Sequence, residues 1–110
     1  MMRTALAVMV ITLSAGGAFA QNLVERGKQE FTDSKCLVCH MVGAEGNKKG
    51  PVLDGVGAKL TPEEIRQWIT NAPEMAAKAK IDRKPPMKAY TDFSKDKVDA
   101  LVAYLSSLKK

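Results

Sequence analysis

Cys36, Leu37, Val38, Cys39 and His40 form a C-x-x-C-H run. Two thiols at i and i+3 on one turn can add across the two vinyl groups of a single haem, and the residue that follows then sets an imidazole beneath the iron. These are the chain's two cysteines and its one histidine, so all of its thiols and imidazoles fall in one short cluster. Other chemistries fit less well. Structural zinc needs four ligands, and no second Cys/His pair exists. A thioredoxin-like pair calls for a β-α-β context, whereas the flanks read as helix and loop. A disulfide across so short a loop would remove little chain entropy. The run is therefore read as the attachment site of one haem c, with Cys36 and Cys39 as thioethers and His40 on the iron.

An iron dedicated to electron exchange takes a second protein ligand. With no second histidine, a methionine thioether is the natural choice, and it raises the reduction potential. Beyond the first 20 residues the methionines are Met41, Met75 and Met87. Met41 adjoins His40 and is held on the same side of the haem plane. Met87 follows Pro85 and Pro86, which stiffen the backbone, so a weak Fe–S bond costs little extra ordering entropy. Met75 suits a core filler. Met87 is the expected ligand opposite His40, with Met75 as the alternative.

Elements must then position these groups. Leu23, Gly27 and Phe31 fall at i, i+4 and i+8 on one face of a first helix that runs into the cysteines. A glycine on that apolar face permits close helix approach. Residues 43–57, rich in Gly, Lys and Asn with Pro51, read as loop. Thr61, Pro62 and Glu64 give a helix start with a capping box. Ile65, Trp68 and Ile69 form that helix's apolar side, and Asn71, Ala72 and Pro73 end it. A short helix is expected over 74–80. Pro85 and Pro86 impose extended chain up to Met87. From Ser94 a last helix carries Val98, Leu101, Val102, Leu105 and Leu108 on one stripe, with Lys109 and Lys110 suiting its C-terminal dipole. No strand alternation of useful length appears. The fold class is all-α.

The N-terminus reads as an export signal. Arg3 supplies a positive charge, residues 5–13 are apolar, and Ala18, Phe19 and Ala20 fit a cleavage pattern before Gln21. The apolar run is short for a membrane span. Residues 1–20 are expected to be a cleaved signal peptide, with retention as an anchor as the alternative. Residues 21–110 are expected to form one domain, periplasmic or otherwise exported, with no stable membrane insertion after cleavage. So small a domain is marginal on side chains alone. With only 5% aromatic residues, a haem would supply much of its apolar interior. The net charge is +5, and basic stretches without interleaved aromatics give no argument for nucleic acid.

These features resemble the small mono-haem class I cytochromes c of bacteria. The matching parts are the helix with Gly27 and Phe31, the Cys36–His40 run, Gly50-Pro51-Val52-Leu53, the stretch from Leu60 to Trp68, Pro86-Met87, and the helix with Leu101, Val102 and Tyr104. The resemblance implies a cytochrome c fold, three to five helices wrapped round one covalent haem, with the first and last helices crossing near Gly27 and Tyr104. It also implies that the Pro51 carbonyl accepts the other imidazole N–H of His40. Leu53 would line the haem. Trp68 would either pack or donate its indole N–H to a propionate. The segment 75–84 matches no part of that pattern.

The expected function is single-electron transfer between redox partner proteins, by a monomeric carrier that is not an enzyme. Lys35, Lys84 and Lys88 would form a positive rim facing acidic docking patches. The alternatives are a haem c subunit of a larger oxidoreductase and a five-coordinate, ligand-binding haem protein.

Overall fold

A computed structural model describes residues 15–110, with side chains from residue 21. The helix α1 spans Ala15–Asp33 and is followed by a 3-10 turn over Cys36–Val38. A two-residue hairpin pairs β1, Met41–Val42, antiparallel with β2, Glu45–Gly46, in the register Met41 to Gly46 and Val42 to Glu45. Four helices follow: α2 over Val56–Lys59, α3 over Pro62–Thr70, α4 over Ala72–Ala79 and α5 over Lys95–Ser106.

Local signals account for most of the boundaries. The Thr61 hydroxyl accepts from the Glu64 amide at 3.2 Å, and the Glu64 carboxylate accepts from the Thr61 amide at 3.0 Å. This reciprocal box satisfies two otherwise unpaired donors, with Pro62 preset for the first turn of α3. Ser94 caps α5 by accepting from the Lys97 amide at 3.2 Å.

The core is the seam between α1 and α5, closed on one side by α3. Phe31, Ile65, Ile69, Val98, Leu101, Val102, Tyr104 and Leu105 form it. Gly27 makes the seam close: a Cβ there would strike the Ala100 carbonyl oxygen and lie 2.6 Å from Tyr104 Cβ. The Phe31 and Tyr104 rings meet at 5.6 Å with a 56° tilt. Charges flank the seam. Arg66 of α3 bonds Asp99 of α5 at 2.6 Å, and Lys95 reaches the same carboxylate at 3.0 Å. Hydrogen bonds from Lys95 and then Arg66 hold the Asp99 carboxyl below the usual carboxylate range.

The tertiary structure departs from the periodicity reading in four places. The segment expected as loop, residues 43–57, holds the second strand of the hairpin and the start of α2. Four-residue α2 is too short to show a period, and it forms where Gly57 lets the chain lie on the end of α5. A Cβ at Gly57 would overlap the Ser106 carbonyl, and the Gly57 amide donates to Leu108 O at 2.8 Å. The second difference is α4, which begins at Ala72 and carries Pro73 in its first turn, where a missing N–H costs nothing. Leu108 is the third. It lies past the end of α5 yet packs on the core, because the tail folds back over α2. Lys109 and Lys110 are likewise outside the helix. Fourth, α1 runs through the boundary between residues 20 and 21, so cleavage there would shorten it to residues 21–33. Residues 1–14, which hold the charged and apolar parts of the expected signal, lie outside the described residues. Among the described residues no helix is long and apolar enough to cross a membrane.

Candidate functional site

The end of α1 delivers the cysteines. Lys35 adopts a left-handed φ of 63°, which turns the chain out of α1 into the 3-10 turn. Within that turn the Cys39 and His40 amides both donate to Cys36 O, at 3.2 and 2.9 Å. Cys36, Cys39 and His40 therefore share one winding of backbone. Both cysteines are free thiols and half-buried. Burial pushes the Cys36 thiol up to about 11, against smaller downward effects of its backbone hydrogen bond and of Lys97. Before attachment this thiol is protonated at neutral pH.

His40 is oriented by chain 11 residues away. Its Nδ1 lies 2.8 Å from Pro51 O. A carbonyl only accepts, so Nδ1 carries the proton and Nε2 presents a lone pair. The loop reaches the ring because Gly50 lacks a side chain. A Cβ there would sit 2.9 Å from His40 Cε1 and 3.0 Å from Nδ1. The Gly50 amide donates to Cys39 O at 2.6 Å, and the Leu53 amide to Met41 O at 2.9 Å, so the loop lies along the chain that follows the cysteines. Leu53 packs half-buried on the core.

Trp68 on α3 and Met87 in the segment before α5 are both half-buried, as is Met75 on α4. The segment after Met87 is anchored by the Tyr90 amide, which donates to Ile69 O at 3.0 Å. Burial first, then the neighbouring Cys36 and Cys39 thiols, push the Tyr90 hydroxyl pKa up. Tyr90 and Cys36 both pack, half-buried, against the core of α1, α3 and α5. Sequence reasoning missed Tyr90 and its neighbours. Its ring stacks on Phe93 at 4.6 Å, with Lys88 Nζ 4.9 Å from the Tyr90 centroid and Lys97 Nζ 4.2 Å from that of Phe93. The segment has no period, so only its two aromatic residues so close behind Met87 could have signalled this ladder.

The donor set fits a haem c: two unpaired thiols on one turn, and an imidazole with Nδ1 tied and Nε2 free. Among the described residues no three His, Cys, Asp or Glu side chains converge as a metal cluster. Comparison with known families matches residues 24–109 to cytochrome c. The chain belongs to the cytochrome c family.

This cytochrome c is also 31% identical over 97 residues to cytochrome c oxidase subunit 2 of Alkalihalophilus pseudofirmus, a match covering 81% of the chain and 27% of that relative. It thus spans little more than a quarter of the length of the curated relative it matches. No solved structure matches the chain. The protein is an all-α cytochrome c with one covalently bound haem c.

Proposed function

We propose that this cytochrome c exchanges single electrons outside the cytoplasm with protein partners, using iron held axially by His40 and Met87. When bound, the haem supplies the one-electron iron couple. The remaining work falls to the chain: Cys36 and Cys39 hold the group, His40 presents Nε2, and the half-buried Leu53 and Trp68 help to exclude water. The observation that carries the reading is the His40–Pro51 bond, which fixes the tautomer an iron ligand needs. Met87 is favoured over Met75 by the two prolines that stiffen the chain before it and by the Tyr90 amide bond that ties the segment after it to α3. Export rests on the signal pattern of residues 1–20. The likeness to an oxidase subunit favours a second reading, in which the chain serves as a subunit of, or donor to, a larger oxidoreductase.

The test of ligation is the ferric spectrum of the purified holoprotein. A weak far-red band from thioether-bound iron, with no shift on adding carbon monoxide to the reduced form, is the expected result. A missing band with ready ligand binding would make the iron five-coordinate and return Met87 to packing.

Docking is tested by charge. Lys35, Lys84 and Lys88 are exposed, and they flank the attachment turn and Met87 in sequence. Reversing Lys84 and Lys88 to Glu is expected to slow electron transfer with an acidic partner and to flatten or invert its salt dependence, with the haem spectrum unchanged. Screening acts over about 8 Å at physiological ionic strength, so the wild-type rate should fall as salt rises. Rates indifferent to both changes would assign docking to apolar surface.

A further inference from the structure

His40 is held by a bond whose two ends lie on different pieces of chain. One piece runs from His40 to the hairpin turn at Gly43, and the other is the loop 50–54. Backbone bonds join them near the ring, from the Gly50 amide to Cys39 O and from the Leu53 amide to Met41 O. At the far end the link is a side chain: Asp54 Oδ1 accepts from the Gly43 amide at 2.6 Å. Gly43 has a φ of 59°, a left-handed turn conformation that glycine adopts without strain. Asp54 also holds the C-terminal tail, since its carbonyl accepts from the Lys110 amide at 3.3 Å, and the Gly57 amide donates to Leu108 O. Asp54 is half-buried. One carboxylate therefore pins the hairpin, and its own backbone pins the tail, three residues from the carbonyl that orients the histidine.

We propose that Asp54 is a positioning residue for His40, holding the loop so that the Pro51 carbonyl stays on Nδ1 and thereby setting the reduction potential. The proposal rests on His40 being an axial ligand. A carbonyl that accepts from Nδ1–H makes the imidazole a better donor, which favours ferric over ferrous iron and keeps the potential down. A loop freed at Asp54 would let that bond open more often, and the potential would rise. Removing a negative charge near the iron also raises the potential, so two variants are needed. Asp54→Asn removes the charge and keeps an oxygen that can accept from Gly43. Asp54→Ala removes both.

The experiment measures two quantities in the holoprotein: the midpoint potential, and the exchange rate of the His40 Nδ1–H by NMR of the reduced form. Asp54→Ala is expected to exchange this proton about tenfold or more faster than wild type, the factor for one charge-assisted hydrogen bond. Its potential is expected to lie above that of Asp54→Asn, whose exchange should stay near wild type. Equal potentials and equal exchange in the two variants would overturn the proposal and leave Asp54 as a charge only. If Asp54→Ala fails to mature, the unaltered protein decides. There the Gly43 amide should be protected to the same degree as His40 Nδ1–H, and a freely exchanging Gly43 amide beside a protected imidazole would overturn the proposal. His40 ring protons without the large haem-induced upfield shift of a ligand in wild type would instead sink the ligation reading itself.

Discussion

Met87→Ala is expected to abolish the far-red ferric band, lower the midpoint potential and open the iron to cyanide or carbon monoxide. The physical basis is the thioether's preference for ferrous iron: losing it removes stabilisation of the reduced state. The fall should be on the order of 0.1 V, well inside the ~0.8 V range over which axial ligands set haem potentials. The side chain is half-buried and lies outside the packed core of α1, α3 and α5, so the fold should survive its truncation. Absorbance and redox titration of the purified variant check the prediction. Met75→Ala is the control, because Met75 is likewise half-buried on α4 and is the alternative thioether. A band that persists in Met87→Ala and vanishes in Met75→Ala would move the ligand to α4.

Gly27→Ala is expected to destabilise the holoprotein by about 3 kcal/mol or more, the upper part of the range for overpacking a tight interface. Helix propensity alone gives the opposite sign, since Ala is favoured over Gly by about 1 kcal/mol inside a helix. Packing wins because the new methyl would meet the Ala100 carbonyl and Tyr104 Cβ, and backbone on α5 cannot swing aside like the end of a long side chain. The helices would have to part along the whole seam. Urea unfolding followed by far-UV circular dichroism gives the measurement, as a lowered midpoint with little change in slope. Gly43→Ala provides the comparison. A Cβ at Gly43 meets nothing within 4 Å, so it suffers only the left-handed backbone cost of about 1–2 kcal/mol. Equal losses in the two variants would mean that conformational preference, not interhelical contact, governs Gly27.

The attachment chemistry was legible because it is local. Two thiols at i and i+3 and the adjoining imidazole need only one turn, and that turn is encoded where it forms. The starts of α3 and α5 were legible for the same reason: Thr61 reaches Glu64 and Ser94 reaches Lys97 across three residues. The apolar stripe of α5 spans enough turns for its period to identify the buried face.

Contacts between distant segments were not legible from spacing. No rule of spacing links His40 to a carbonyl at Pro51. Resemblance to a family suggested that bond, and only the folded loop supplies the 2.8 Å distance. The hairpin and α2 are each too short to show a period, and α2 exists because Gly57 lets the chain touch the end of α5. Tyr90 joins the core only when its amide is anchored on α3, and Asp54 reads as a loop acid until Gly43 is seen to donate to it. The sequence by itself determined the covalent chemistry, the helical class and the helix starts, because their energies are settled within a turn or two of chain. The tertiary structure decided how the Pro51 carbonyl is brought to the imidazole, how closely α1 meets α5 and where the chain after Met87 is tied to α3. Those depend on surfaces brought together across many residues, where close packing and backbone hydrogen bonds outweigh local preference.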